Sequence, residues 1–294
     1  NAFPVSIQGA VGHAMSNAFP PERLEDLLKV IRQDGRYSTA QRLQALKTLD
    51  GWPEGPNTPQ LIHAVLERME RDTDVEFLTQ CVGFLGRRKA YSAVMLLIDV
   101  AMGTRLALFE QGPDLATLES DGVVRLRCNA IRTLGRMGDG RAIVPLVSIL
   151  NDRSQNYRLR LDAAESLGRL GDGQAVNPLI QIVRDERETS LYLKESTIKA
   201  LGMLGDIRAV EPLIEMFESK RGFREKFQFV LEQAVHAVGR LASRRDGKVT
   251  DMLVKAAVDE APSIRLAAVE ALGDVGDESC LPLLRERLQD ERMD

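Results

Sequence analysis

Side chains able to do chemistry are few and scattered in this 294-residue chain. Its three histidines, His13, His63 and His236, are each followed by alanine, and its cysteines, Cys81, Cys128 and Cys280, lie far apart. A structural or catalytic metal needs several such ligands at short spacing, and a redox pair needs Cys-x-x-Cys. Neither pattern is present, so no metal or cofactor is expected from the residues, and a reducing compartment is the simplest setting for unpaired thiols. No Gly-x-Ser-x-Gly elbow, P-loop or dinucleotide fingerprint occurs. What remains is arginine chemistry. Between Arg125 and Arg169 nine arginines stand against four acids, a local charge of +5 in a chain of net charge −4. Guanidinium grips carboxylates through two parallel hydrogen bonds. Arg127, Arg132, Arg136, Arg158 and Arg160 are therefore candidate contacts for an acidic protein face. With 39 basic and 43 acidic residues overall, there is no broad electrostatic footprint for nucleic acid.

The elements that position these residues come from one recurring pattern. Leu134-Gly135-Arg136-Met137-Gly138-Asp139 returns at Leu167–Asp172, Leu201–Asp206 and Leu272–Asp277, at intervals of 33, 34 and 71 residues. The last interval is two periods, its missing member being the decayed Val238-Gly239-Arg240-Leu241. Upstream, Leu46–Asp50 and Val82–Gly86 read as further copies. With Gly83 taken as the equivalent of Gly135, 52 residues separate the two, which predicts an insertion at about 103–122. Periods of this size signal a solenoid.

Each unit reads as two helices. Apolar residues three apart, such as Ile198, Leu201 and Leu204, give the first helix a buried stripe, and Arg127, Arg160, Lys194 and Arg265 each stand eight residues before the first glycine. The second glycine suits a left-handed helix C-cap. Asp139, Asp172, Asp206 and Asp277 are placed to accept backbone N–H groups at the start of a second helix. Pro145, Pro178, Pro212 and Pro282 fit only a first turn, so that helix begins near Ala142, Ala175, Ala209 and Ser279. Only 14 positions are aromatic, so Leu, Ile, Val and Ala must build the core, which suits helix-on-helix packing. The expectation is an all-α fold, a right-handed α-solenoid of about seven helix pairs. Residues 1–20 form an arm or cap, a capping helix starts at Pro21, and a single array runs over 21–294. Trp52 and Cys128 are expected in the core, and Lys220–Lys226 in a basic loop. The longest apolar run, Ala93–Ile98, is far too short to span a membrane.

Gly-Asp-Gly-Arg-Ala-Ile-Val-Pro-Leu at 138–146, Gly-Asp-Ile-Arg-Ala-Val-Glu-Pro-Leu at 205–213 and Ala-Ala-Val-Glu-Ala-Leu-Gly-Asp at 267–274 resemble HEAT repeats of the phycobilin-lyase type. Leu126-Arg127-Cys128-Asn129-Ala130 resembles the lyase repeat that follows a similar insertion. The resemblance implies a subunit of a phycobilin lyase, or a bilin chaperone. Such a protein attaches a linear tetrapyrrole to a phycobiliprotein or removes it, with the arginines on the propionates and a second HEAT-repeat subunit as a partner. HEAT-type iron hydroxylases hold metal with paired His-Glu steps, and no His-Glu occurs here. The aromatic-rich first repeat associated with one lyase subunit is missing as well, since residues 36–50 offer only Tyr37.

The residues themselves point elsewhere. Counting 9, 13 and 16 positions from the repeat glycine gives Val144, Ser148 and Asn151, then Asn177, Gln181 and Arg184, then Glu211, Glu215 and Glu218. These are the non-core positions of the second helices, which line the inner surface of such an array. A wall graded from neutral to acidic suits recognition of a partner of complementary polarity. The reading is a non-catalytic scaffold, in the cytoplasm or in a plastid stroma if a leader was removed, with Ser148, Asn177, Gln181, Arg184, Glu211 and Glu215 in the groove. For the arginines a second arrangement is open: Arg127, Arg160, Lys194 and Arg265 recur in step with the turn aspartates and could pair with them as a ladder.

Overall fold

The computed structural model describes residues 21–33, 35–104, 120–242, 246–275 and 280–287. The arm at 1–20 lies outside the described residues, as do Asp277 and Ser279 and all of the insertion except its ends. The described residues form helices and short 3-10 turns, without a strand. By backbone contacts the chain divides into two compact units, Asn1–Thr133 and Leu134–Asp294.

The first unit holds α1 (Pro21–Arg32), α2 (Thr39–Asp50), α3 (Thr58–Arg71), α4 (Val75–Arg87) and α5 (Val94–Met102). The division falls within α6 (Asp121–Met137). Helix α1 packs on α2 and α3, and α2 packs on α4. Ser38 and Gln41 form a reciprocal capping box at the start of α2. Buried Trp52 is part of the core, as the sequence indicated, and its carbonyl accepts a hydrogen bond from Arg88. Between Arg42, Arg68 and Asp72 lies a buried ion cluster; Asp72 Oδ1 also accepts the Asp74 N–H at 2.9 Å, so the charge fixes the turn before α4. The repeat glycine of α4 is Gly86 rather than Gly83: a Cβ on Gly86 would lie 2.6 Å from Thr133 Cγ2 of α6. Gly86 and Gly135 are 49 residues apart, so the inserted stretch is three residues shorter than the sequence suggested. Its ends are a helix stop at Gly103, with φ of 77°, and the first turn of α6.

The second unit alternates long and short helices: α7 (Ile143–Asn151), α8 (Tyr157–Leu170), α9 (Val176–Arg184), α10 (Leu191–Leu204), α11 (Val210–Lys220), α12 (Arg224–Leu241), α13 (Gly247–Ala256), α14 (Pro262–Val275) and α15 (Leu281–Arg287). The first helices of successive repeats, α8, α10, α12 and α14, pack on one another in order, and α7, α9, α11 and α13 form a second row. This is an α-solenoid of paired helices.

The turn chemistry expected from the repeat is present. Gly138, Gly171 and Gly205 hold φ of 71–73°. Asp139, Asp172 and Asp206 each accept the backbone N–H two residues on, opening a 3-10 turn that leads into the second helix. Those helices start at Ile143, Val176 and Val210, one residue past the expected alanines. Ile143, Leu146, Ile149 and Leu150 form the buried stripe of α7. The expected basic loop is mostly helical. Lys220 ends α11, a 3-10 turn follows, and Arg221 is anchored on the Lys255 carbonyl at 3.1 Å and on buried Asp259.

Candidate functional site

The four cations that recur eight residues before the glycine are internal. Arg127 is 2% exposed and donates through Nε to the Ala101 carbonyl at 3.0 Å. Arg160 reaches the Leu150 carbonyl at 2.9 Å, Lys194 the Asp185 carbonyl at 3.0 Å, and Arg265 the Asp259 and Glu260 carbonyls at 3.0 and 2.9 Å. Arg127, Arg160 and Lys194 thus cap the negative C-terminal end of the short helix preceding their own, and Arg265 ties down the connection after α13. Asp139 and Asp206 take Arg141 and Arg208 from their own turns, because those arginines are only two residues away.

This removes Arg127 and Arg160 from the binding set, since burial and internal bonds consume their guanidinium groups. Arg132 and Arg136 lie one turn apart on the exposed face of α6, and Arg132 Nε donates to the Cys128 carbonyl at 3.3 Å. Arg158 is exposed at the start of α8, with its guanidinium 5.9 Å from the ring centre of exposed Tyr157. Arg153 pairs with Asp185, and Arg169 with Glu165. Cys128 is buried, as expected of a core thiol.

Turn pairing lowers the pKa of Asp206. Arg208 donates to both Asp206 oxygens, at 2.9 and 2.6 Å, and its backbone N–H adds a third bond. These bonds hold the Asp206 carboxyl down to about 2. A folded pKa below the unfolded value of 3.8 means that this contribution to stability is complete above that value and is lost as pH falls through about 2. Carboxyl NMR titration should place the Asp206 midpoint near 2, and Arg208→Ala should move it up toward 3.8. An unmoved midpoint would show that the arginine is not the cause.

The second helices place every predicted groove residue on their exposed side. Val144, Ser148 and Asn151 on α7, Asn177, Gln181 and Arg184 on α9, and Glu211, Glu215 and Glu218 on α11 are all exposed. Val144 is 72% exposed, well beyond what a core-facing valine shows. The wall changes character along its length. The side chains of Ser148, Asn177 and Gln181 form no hydrogen bond among the described residues. On α11 each glutamate is matched by a cation from an adjoining helix: Glu211 by Lys248 at 2.9 Å, Glu215 by Arg184 at 2.8 Å and Glu218 by Lys255 at 2.8 Å. The acidic end of the expected gradient is thus neutralised by its neighbours. Lys248 and Lys255 stand 9 and 16 residues after Gly239, so the same register, carried through the decayed motif, would have found them.

Among the described residues no group of three or more His, Cys, Asp or Glu side chains could hold a metal ion, and no helix is long and apolar enough to cross a membrane.

Comparison with known proteins follows this geometry. No curated protein matches the chain. Among solved structures, that of human deoxyhypusine hydroxylase in complex with glycerol is 19% identical, covering 86% of this chain and 96% of that one at a TM-score of 0.39. The complex of CpcE and CpcF of phycocyanin lyase from Nostoc sp. PCC7120 is 25% identical, covering 78% and 81% at a TM-score of 0.47. The family model for HEAT repeats matches residues 113–192, 153–231 and 225–294, more than half of the chain. On those matches, and on the glycine, aspartate and buried cation that return in register, the chain belongs to the HEAT-repeat family.

Proposed function

We propose that this chain is a non-catalytic interaction scaffold whose second unit holds a partner protein along the exposed sides of α7, α9 and α11. One observation carries the reading. Ser148, Asn177 and Gln181 present unspent hydrogen-bonding groups beside exposed Val144, while the charges farther along are already matched. Hydroxyl and amide groups left to water can be satisfied by a partner without breaking an internal bond. The exposed ion pairs flanking them contribute little to stability and can exchange partners.

The test is recovery of a partner from an extract of the source cell by the wild-type chain and by the Asn177→Ala, Gln181→Ala, Glu215→Ala triple variant. All three positions are exposed, so helicity should be unchanged while recovery of the partner is lost. Recovery at the wild-type level would place the binding surface elsewhere.

A second reading, a bilin lyase subunit or bilin chaperone, is favoured by Arg158 set over exposed Tyr157, a cation beside an aromatic face. With Arg127 and Arg160 internal, Arg132, Arg136 and Arg158 are left to meet propionates. Incubation with a linear tetrapyrrole, with and without a phycobiliprotein subunit, should shift the visible band if this reading holds, and Arg158→Ala should diminish the shift. An unshifted band removes it.

A further inference from the structure

The repeats of Gly86 and Gly239 carry buried Leu78 and Leu231 eight residues before the glycine, and among the four repeats with a buried cation there, one differs. Arg127, Arg160 and Arg265 hold the position in their repeats, and Lys194 holds it in α10. Arginine fills such a site with a planar fork of five donors, whereas lysine brings a compact ammonium with three. Lys194 is 5% exposed, and its ammonium makes one hydrogen bond among the described residues, to the Asp185 carbonyl at 3.0 Å. Two of its N–H groups have no acceptor there.

Beside it is a cavity of about 190 Å³ with apolar walls from Val183, Pro212 and Met216. Arg184 and Lys220 line it as well, so three cations share one space with Glu186, Glu215 and Ser219. Two carboxylates oppose them from exposed positions: Glu215, 2.8 Å from Arg184, and Glu186, 3.7 Å from Lys220. Arg160 in the preceding repeat has a buried carboxylate of its own, Glu188 at 2.7 Å, whereas Lys194 has a carbonyl alone at bonding distance. Burial first, and then the nearby Lys220 charge, push the Lys194 pKa down, while Asp185, Glu188 and Glu186 push it back up. Among the lining side chains three cations face two carboxylates.

We propose that this cavity is a carboxylate-binding subsite of the partner wall. An aspartate or glutamate side chain of the partner, or its C-terminus, enters between Lys194 and Lys220 and draws Arg184 away from Glu215. The incoming group balances three cations with three carboxylates and supplies acceptors for the unspent ammonium protons. Arg184 and Glu215 belong both to the wall and to the cavity lining, so the inference rests on the scaffold reading and names the chemistry of its partner.

Fluorescein-labelled hexaglutamate with an amidated C-terminus, titrated at low ionic strength and followed by anisotropy, tests it. Hexaserine with a free C-terminus is the arm that reports on a terminal carboxylate, and amidated hexaserine is the blank. The informative variant is Lys220→Met, which keeps the stem at the cavity wall, removes one of the two cations between which the carboxylate enters, and leaves Lys194 and its bond to Asp185 in place. It should melt no lower than wild type yet bind the carboxylate peptide at least tenfold more weakly. Binding within twofold of wild type, or no carboxylate-dependent binding by wild type, overturns the subsite. Partner capture separates the two readings. If the wall triple variant loses the partner while Lys220→Met keeps it, the subsite fails and the wall stands. If the triple variant keeps the partner, the wall fails whatever the peptide does.

Discussion

Gly168→Ala is expected to destabilise the Leu134–Asp294 unit, and Gly273→Ala, at the same motif position in α14, to stabilise it. Both glycines lie within helices, where alanine is the better residue by about 1 kcal/mol. At Gly168 the new methyl would stand 2.7 Å from the Ala200 Cα and 3.3 Å from its carbonyl oxygen. Backbone cannot rotate aside as a side chain can, so α8 and α10 must move apart along their contact. Overpacking of this kind costs about 1–3 kcal/mol and outweighs the propensity gain. At Gly273 nothing among the described residues lies within 4 Å of the added methyl, so the propensity gain of about 0.5–1 kcal/mol is kept. Urea unfolding followed by helical circular dichroism should show the two midpoints moving in opposite directions. Movement in the same direction would mean that Gly168 is not there for close approach.

Arg160→Met is expected to cost more, about 3–5 kcal/mol. Arg160 ties three helices together. It leaves α8, caps the end of α7 at the Leu150 carbonyl, and pairs with Glu188, whose other oxygen accepts the Ser190 N–H just ahead of α10. Methionine fills much of the volume but leaves a buried carboxylate without its cation and a helix end without its donor. Adding Glu188→Gln removes the stranded charge, so the double variant should recover part of the loss and the double-mutant cycle should show strong coupling. Additive losses in the urea midpoints would contradict the buried pair.

Helix pairs, turns and wall register were legible in the sequence because each rests on a local demand. Gly171 and Gly205 answer the need for positive φ, Asp172 and Asp206 the need for an N-cap, and a fixed period carries Ser148 to Gln181 and Glu215. What the recurring cation does was not legible. What it shares from repeat to repeat is a bond to backbone carbonyls, which every residue has, so Arg127 and Arg160 looked the same as exposed Arg132. The choice between Gly83 and Gly86 was likewise open, because two glycines three apart share a helix face and only the contact with Thr133 separates them. Pairing of the α11 glutamates was missed where the Gly239 motif has decayed and the register is hard to carry forward.

The central claim, that the second-helix wall of the Leu134–Asp294 unit meets a protein partner, is tested most directly by site-specific photocrosslinking in an extract of the source cell. A photoreactive phenylalanine analogue replaces Gln181 on the wall or, as the control, Glu165 on the first-helix side. The account predicts a discrete covalent adduct from position 181 that is absent from position 165. An adduct from position 165 with none from 181 would contradict it.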